Sequence, residues 1–313
     1  MLPAIIANLP TVLTRFAIGI GVAGGACVAY GTFIEHDWFR TRRYQLHVLP
    51  QGAAPLTLLH LSDLHFIRRN RKKRSFVESL ERPDVVVITG DMLGEAEAVE
   101  FAVDVLRHVR GRLASYVVLG SNDYFVPRPI NPLDYVLERR HSKGVPSRWR
   151  ELVDQLRSDG WKVMRNEKAA LINDGAAFEV LGLDDPHIQR TDLRVAPRSQ
   201  PEAFGLAIVH SPDPAPELVA LGYQLVLAGH THGGQVRMPF VGALLTNGTT
   251  PTKLAMGLSR LGPAYMHVSP GLGTSKYAPF RFLCRPEATY LELLPQPSAA
   301  SRADRESAPR ATS

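Results

Sequence analysis

The stretch LTLLHLSDLH, residues 56–65, decides how this chain is read. It opens as a short apolar run bounded by turn chemistry, the pattern of a buried β-strand. It ends in Asp63 and His65, with Leu64 between them. The same arrangement recurs downstream. DVVVITGD (84–91) is rich in β-branched residues and ends in Asp91, and VVLGSNDYF (117–125) runs into Ser121, Asn122 and Asp123. GLAIVHS (205–211) ends at His210, and YQLVLAGHTHGG (223–234) ends at His230 and His232. Five apolar strands thus each finish in Asp, His or Asn. In α/β sheets ligands bind at the carboxyl ends of strands, so these groups are expected on one rim.

Between the first three strands lie helical patterns at residues 73–80 and 95–109, which reads as an α/β unit with a parallel sheet. NPLDYVLERR (131–140) and SRWRELVDQLRSDG (147–160) also read as helices, the second stopped by Gly160. Short strands follow at 161–166, 169–175, 177–183, 264–269 and 288–294, with Asn173-Asp174-Gly175 as a hairpin signal. The first half is parallel in style and the second more antiparallel. The expectation is an α/β protein of two sheets packed together with helices outside. Its divisions are an N-terminal anchor and connector at 1–50, one large domain at 51–295 and a Ser/Ala/Arg/Pro-rich disordered tail at 296–313.

The ligand chemistry of the strand ends is specific. Carboxylates, imidazoles and an amide oxygen suit divalent first-row metals. On an extended segment alternate residues point the same way, so Asp63 and His65 are expected to grip one ion, and His230 and His232 another pair of positions. Gly229, Gly233 and Gly234 let the backbone approach an ion or a phosphate. The groups are too many for one cation and suit two, which at a spacing of ~3.5–4 Å clamp a phosphoryl group and generate a hydroxide nucleophile. Taken singly, each piece has a bland explanation: a helix N-cap for a lone Asp, a core hydrogen bond for His210, a polar turn for GHTHGG. Five in order are not explained that way.

The order Asp-x-His, Gly-Asp, Gly-Ser-Asn-Asp, His, Gly-His-x-His resembles that of the calcineurin-like metallophosphoesterases. GHTHGGQ (229–235) and the later GLGTS and PFRFLCRPE narrow the likeness to a bacterial membrane-associated phosphodiesterase-like branch. The resemblance implies a four-layer sandwich of two mixed β-sheets flanked by helices. It implies Asp63, His65 and His232 as ligands of a first metal, Asp91 as the bridging carboxylate, and His210 and His230 on a second metal. The catalytic set on this reading is Asp91, Asn122 and His232. The family's Gly-Asn-His-Asp is altered here: Ser121 stands at the metal-binding Asn, Asn122 at the phosphate-contacting His, and Asp123 keeps the acidic place. Either Ser121 is a weak ligand or a water takes its place, or a one-residue shift lets the Asn122 carbonyl oxygen coordinate; the shift is preferred, because an amide oxygen is a better ligand than a neutral hydroxyl. The usual histidine acid is absent, and His187 in LDDPHIQR is a candidate replacement. Asp184 and Asp185 are candidate partners of the ligand histidines.

The implied cofactors are two divalent ions, with manganese, iron or zinc all compatible. The implied substrate is a phosphodiester or pyrophosphate, hydrolysed by metal-bound hydroxide. A lipid-linked or nucleotide-lipid pyrophosphatase at a membrane is the alternative, and a non-catalytic phosphate-recognition protein is a third. The chain shows no Gly-x-Ser-x-Gly elbow, no phosphate-binding loop and no dinucleotide fingerprint.

Residues 16–34, FAIGIGVAGGACVAYGTFI, hold 19 residues without a charge, about the minimum for a bilayer core of ~30 Å. They are read as a single N-terminal membrane anchor. Arg15 precedes the segment while Arg40, Arg42 and Arg43 follow it, which places the large domain on the cytoplasmic side. The composition is otherwise that of an ordinary globular protein, with 45% hydrophobic and 21% charged residues and a net charge of +6. Much of that excess is the run RRNRKKR (68–74), which suits phosphate-bearing substrates or an anionic membrane. Nothing beyond the basic charge points to nucleic acid. Two cysteines, Cys27 and Cys284, make neither a disulfide framework nor a zinc knuckle.

Overall fold

The computed structural model describes residues 2–127 and 144–297. The helix expected at 131–140 and all but the first residues of the expected tail lie outside them.

In chain order the strands are β1 (Arg40–Leu49), β2 (Leu56–Leu61), β3 (Val85–Ile88), β4 (Ala114–Val117), β5 (Phe125–Val126), β6 (Val145–Pro146), β7 (Lys162–Val163) and β8 (Glu167–Asn173). They continue as β9 (Ala176–Gly182), β10 (Phe204–Ile208), β11 (Leu225–Ala228), β12 (Arg237–Met238), β13 (Gly242–Ala243), β14 (Gly257–Leu261), β15 (Ala264–Val268) and β16 (Glu287–Pro295). Two six-stranded mixed sheets result, ordered β1-β16-β2-β3-β4-β7 and β14-β15-β11-β10-β9-β8.

Side-chain alternation sets the layers. Leu58, Val85, Val87, Leu206, Ile208, Leu225 and Leu227 face inward and form the core between the sheets. Their neighbours Leu59, Leu61, Val86 and Ile88 face outward and pack on helices Arg71–Glu78, Val99–Leu106 and Trp149–Ser158 through Val77, Val103, Leu106, Leu152 and Leu156. On the far side Ala207, Val226 and Met266 pack on helix Ala215–Ala220 through Ala215 and Leu218. The fold is therefore a four-layer α/β sandwich. The central strands β2, β3, β4, β10 and β11 are buried on both faces, which is why these segments read as continuous apolar runs.

Two expectations need correcting. The second half is not mainly antiparallel: β9, β10, β11 and β15 all run parallel, and only the outer pairs β8–β9 and β14–β15 are antiparallel. The connections between the parallel strands are long enough for crossovers, one of them carrying helix Ala215–Ala220. The stretch before residue 50 is more than a connector. Residues 40–49 form β1, paired in parallel with β16 from Arg40↔Glu287 to Leu49↔Pro295. Its many charges hide the alternation, yet Leu46 and Leu49 enter the core between the sheets, while Arg40 and Arg42 meet buried Glu287. The hairpin signal holds: Asp174 (φ 44°) and Gly175 (φ 83°) link β8 and β9 in two residues, both left-handed, as a type I′ turn requires.

Ahead of β1 runs a helix, Leu2–Phe33. Its apolar part, within Ile18–Asp37, is long enough to cross a membrane and stands away from the sandwich, with Ile18, Ile20, Val22 and Val28 exposed. Its C-terminal end touches the domain: Gly31 O accepts from Arg281 N, and the Tyr30 ring meets Phe282 edge-on at 6.2 Å.

Candidate metal centre

The strand ends converge. β2, β3 and β4 are parallel in one sheet and β9, β10, β11 and β15 in the other, and the loops after them meet over the seam. Backbone bonds zip these loops together: Asp63 N donates to Gly90 O, His65 N to Asp91 O, Gly229 N to His210 O and Leu272 N to Ser62 O.

The grip of Asp63 and His65 does not come from strand alternation. β2 ends at Leu61, and both residues have left-handed backbones, at φ 47° and 43°. His230 (68°) and His232 (50°) behave alike beyond the end of β11, and so does Asp91 (54°). Five of the seven sequence-predicted site residues thus hold a conformation that non-glycine residues rarely adopt. Such strain concentrates at functional sites, where the surrounding fold enforces it.

Two groups of ligating atoms lie back to back. In the first, His65 Nε2 is 3.3 Å from His232 Nε2 and 3.6 Å from Asp91 Oδ2, and His232 Nε2 is 3.4 Å from Asp63 Oδ1. In the second, His210 Nε2 is 3.5 Å from Asp91 Oδ1 and 3.2 Å from His230 Nδ1. Asp91 gives one oxygen to each group. Asn122 reaches both oxygens, its backbone N–H donating to Oδ1 at 2.8 Å and its amide to Oδ2 at 2.5 Å. Asn122, and not Ser121, is therefore the residue of the GSND turn that hydrogen-bonds the shared carboxylate.

These atoms fit a cation. Asp63 is fully buried, yet its Oδ1 has no hydrogen-bond donor. Its other oxygen accepts from Ser62 Oγ at 2.6 Å and His230 N at 3.0 Å, which fixes the free oxygen toward His232. Buried imidazole nitrogens facing one another beside two buried carboxylates would be costly without a bound charge.

The histidine rings are aimed by main-chain carbonyls. His210 Nδ1 bonds Thr89 O at 2.6 Å, His232 Nδ1 bonds Gly273 O at 3.2 Å, and His230 Nε2 bonds Asn247 O at 3.0 Å. Each bond puts the proton on the outer nitrogen and turns the other inward, as metal-ligating histidines require. Asp184 does not serve in this way: it accepts from Tyr124 Oη and Arg165 Nε, and Asp185 accepts from His187 N. Asp123 also acts structurally, taking the backbone N–H groups of Met92, Leu93 and Gly120 and so tying the Asp91 loop to the GSND turn.

Electrostatics follow the geometry. Burial pushes His65 and His230 down to about 4 and His232 to about 3, so these three rings are neutral at physiological pH. Burial opposes charge on Asp91 too, but the adjoining His210 outweighs it, with help from His65 and Asn122, and holds the carboxyl well below its usual range. His210 moves the other way: burial lowers it, and Asp91, followed by Asp185 and Asp63, raises it well above its usual value. Burial next to Asp91 pushes Asp123 up to about 7.

Glycines complete the cradle. A Cβ on Gly229 would lie 1.8 Å from Ser62 Oγ and 2.5 Å from Asp63 Oδ2; one on Gly120 would lie 2.2 Å from Asp91 Oδ1. GLGTS is part of the same wall, with Gly273 N donating to Asp63 O. His187 is brought in as well, its ring centroid 4.6 Å from that of His230.

Several supports of the centre carry no local signal in the sequence. Ser62 Oγ receives a bond from Thr89 Oγ1 at 2.7 Å, and Thr89 in turn meets His60, which meets His267 at 2.8 Å in the core between the sheets. Lys73, from the basic run, is buried and donates its ammonium to Leu64 O, inside the Asp63–His65 loop. Arg281 is buried and holds the carbonyls of Pro270 and Gly273. Only a position inside an apolar strand pattern could have flagged His60 and His267; nothing local marks the others.

Similarity to known proteins agrees with this centre. The family model for calcineurin-like phosphoesterase matches residues 56–234, the span that contains every residue of the two groups. The chain is 27% identical to the Escherichia coli phosphodiesterase YaeI over 87% of its own length and 95% of that protein. It is 26% identical to the Bacillus subtilis metallophosphoesterase YkuE, over 88% and 93% of the two chains. It is also 26% identical to the UDP-2,3-diacylglucosamine pyrophosphatase LpxG of Chlamydia trachomatis, over 86% and 93%. With a match over more than half its length and the strand-end carboxylates and histidines gathered at one seam, the chain belongs to the calcineurin-like phosphoesterases, metal-dependent hydrolases of phosphoric esters.

Proposed function

We propose that this protein is a dinuclear-metal phosphoesterase that hydrolyses a phosphodiester or pyrophosphate bond beside a membrane. The observation that carries the reading is the sharing of Asp91 between two back-to-back ligand groups. Asp63, His65, His232 and Asp91 would hold one divalent ion; Asp91, Asn122, His210 and His230 would hold the other. When bound, such a pair supplies an activated water and neutralises the charge that develops on the phosphoryl oxygens. Manganese, iron and zinc each suit this mixed oxygen and nitrogen set.

The chain's own residues do the rest. Neutral His65, His230 and His232 need lose no proton to bind. Carbonyl-anchored rings and the bond from Ser62 to Asp63 keep the ligand atoms in place. The side-chain amide nitrogen of Asn122 donates to Asp91 Oδ2, so Asn122 rather than Ser121 stands beside the shared carboxylate, and its carbonyl oxygen is the atom that would ligate. The family's acid histidine is replaced at position 122, and His187, its ring 4.6 Å from that of His230, is our candidate for serving the leaving group.

The experiment is direct. The full chain is loaded with manganese, iron or zinc, its bound metal is counted, and turnover of a soluble aryl phosphodiester is measured. Two ions per chain and turnover at least about 10²-fold above His232→Ala and Asp91→Ala are expected. Metal-loaded protein no faster than both variants across several diesters and pyrophosphates would sink the reading.

The second reading names a lipid-linked pyrophosphate as substrate. It is favoured by the relation to LpxG and by the exposed apolar helix, which we read as a single membrane span with the catalytic domain on the cytoplasmic side. Turnover of a lipid pyrophosphate in mixed micelles, with none of soluble diesters, would select it over the first.

A further inference from the structure

A second apolar element stands beside the helix. Between His232 and Asn247 the chain makes a small hairpin, β12 and β13, whose tip is Pro239-Phe240-Val241. Phe240 is exposed beyond the ordinary reference for the residue, at 109%, and Val241 is 71% and Leu245 73% exposed; Met238 and Leu244 are also open to solvent. Phe240 sits at φ 65°, a backbone state unfavourable for an aromatic residue that makes no contact in return. A contiguous apolar tip of this kind on an otherwise well-buried fold marks an interaction site.

The hairpin and the helix share one support. Arg237 N donates to Phe282 O and Phe282 N to Gln235 O, so the 278–283 segment forms the base of the hairpin. The same segment carries the helix end, through Arg281 N to Gly31 O and the Phe282 ring against Tyr30. Flanking this seam are groups suited to headgroups: Arg285 lies over Trp38 at 4.0 Å, and Lys72 of the basic run bonds Asp37 at the end of the apolar segment. Aromatic residues and cations at the edge of an apolar surface are the composition of a lipid interface.

The hairpin is also wired to the metal centre. It departs from His232 and returns to Asn247, whose carbonyl aims His230. At its inner end, a Cβ on Gly234 would meet Ala243 at 2.5 Å, so the hairpin packs directly on the ligand loop.

We propose that the 237–245 hairpin inserts its apolar tip into the surface of the same bilayer that holds the N-terminal helix, so that the mouth of the centre faces the headgroup layer. The inference rests on reading the helix as a membrane span. It adds a second lipid contact and assigns the centre to phosphate groups presented at a lipid surface.

The test uses the full chain in nanodiscs of phosphatidylethanolamine with a minority of phosphatidylglycerol. An environment-sensitive fluorophore is placed on native Cys27, or, in a Cys27→Ser background, on Phe240→Cys or Arg194→Cys; Cys284 is buried. The label at 240 is expected to be quenched by spin-labelled lipid and shielded from an aqueous quencher, as at 27 and unlike at 194. A companion pair, Phe240→Ser with Val241→Ser, is expected to lose about 10-fold in turnover of a phosphodiester presented in the bilayer and less than about 2-fold on a soluble one. A label at 240 that behaves like 194 while 27 lies in lipid overturns the inference and leaves the helix reading standing. If 27 is also in water, the membrane reading falls and takes this inference with it. Shielding at 240 that depends on protein concentration and crosslinks two copies makes the tip a self-association surface and overturns the lipid assignment.

Discussion

Asn122 grips both carboxylate oxygens of Asp91, through its backbone N–H to Oδ1 at 2.8 Å and its side-chain amide to Oδ2 at 2.5 Å. Asp91 is the carboxylate shared by the two groups of candidate ligands, so this contact ties the altered GSND turn to the middle of the proposed centre. Ser121, one residue earlier, is partly exposed, and the bonds from this turn to the carboxylate come from Asn122. Asn122→Ala is expected to weaken metal binding and lower turnover by about 10–100-fold, the usual cost of disturbing a ligand or its partner. Ser121→Ala should stay within about 3-fold. Metal titration with parallel rate measurements decides it; a larger loss for Ser121→Ala would mean that the hydroxyl, not the amide, is the ligand.

Gly229 has no room for a side chain. Its Cβ would fall 1.8 Å from Ser62 Oγ and 2.5 Å from Asp63 Oδ2. Gly229→Ala must displace the bond that fixes Asp63, so it should cost about 1–3 kcal/mol in stability, as overpacking does, and most of the metal affinity. Thermal melts with and without metal measure both. A variant with normal metal affinity would show that the Ser62–Asp63 bond does not position the ligand.

His187 lies against His230, with ring centroids 4.6 Å apart. If it serves the leaving group, its removal should matter in proportion to how poor that group is. His187→Ala is expected to lose about 10²-fold on an alkyl phosphodiester, in line with a positioned acid, and under about 3-fold on a nitrophenyl ester. Equal losses on both would assign His187 to binding or structure instead.

His60 and His267 face each other across the core between the sheets at 2.8 Å. Burial, helped by Arg42, pushes His267 down to about 3, and burial next to His267 holds His60 well below the ordinary imidazole value of 6.5. The folded rings stay neutral where those of the unfolded chain take protons. Their contribution is therefore fully present above pH 6.5 and is lost as pH falls toward 3. The slope is about 1.4 kcal/mol per pH unit for each ring. Urea denaturation between pH 7 and 4 should show this dependence, and the His60→Leu, His267→Leu double variant should show a shallower one. Equal slopes would mean that other groups govern acid sensitivity.

Much of the centre was legible in the chain. Strand ends at Asp63, Asp91, His210 and His230 follow from apolar runs that stop at polar residues, because a strand buried on both faces must be apolar throughout. The convergence of those ends on one rim follows from parallel pairing. The hairpin at Asp174-Gly175 was equally plain. What stayed hidden was how the ligands turn inward. Strand alternation was expected to aim Asp63 and His65 together, and instead each sits past the strand end with φ near 45°, stabilised by bonds from loops far away in sequence.

The sequence by itself determined the α/β class, the set of carboxylates and imidazoles and the apolar N-terminal segment, since each is written in residue type and local period; the four-layer arrangement was implied by the family resemblance. Only the tertiary structure decided that Asn122 rather than Ser121 meets Asp91, that residues 40–49 complete a sheet, and that His60, Thr89 and Ser62 run from the core to Asp63. It also decided that the Phe240 hairpin and the N-terminal helix rise from one support. The reason is physical. Buried polar groups and left-handed backbones are held by partners dozens to hundreds of residues away, and no local pattern records which distant carbonyl or hydroxyl will satisfy them.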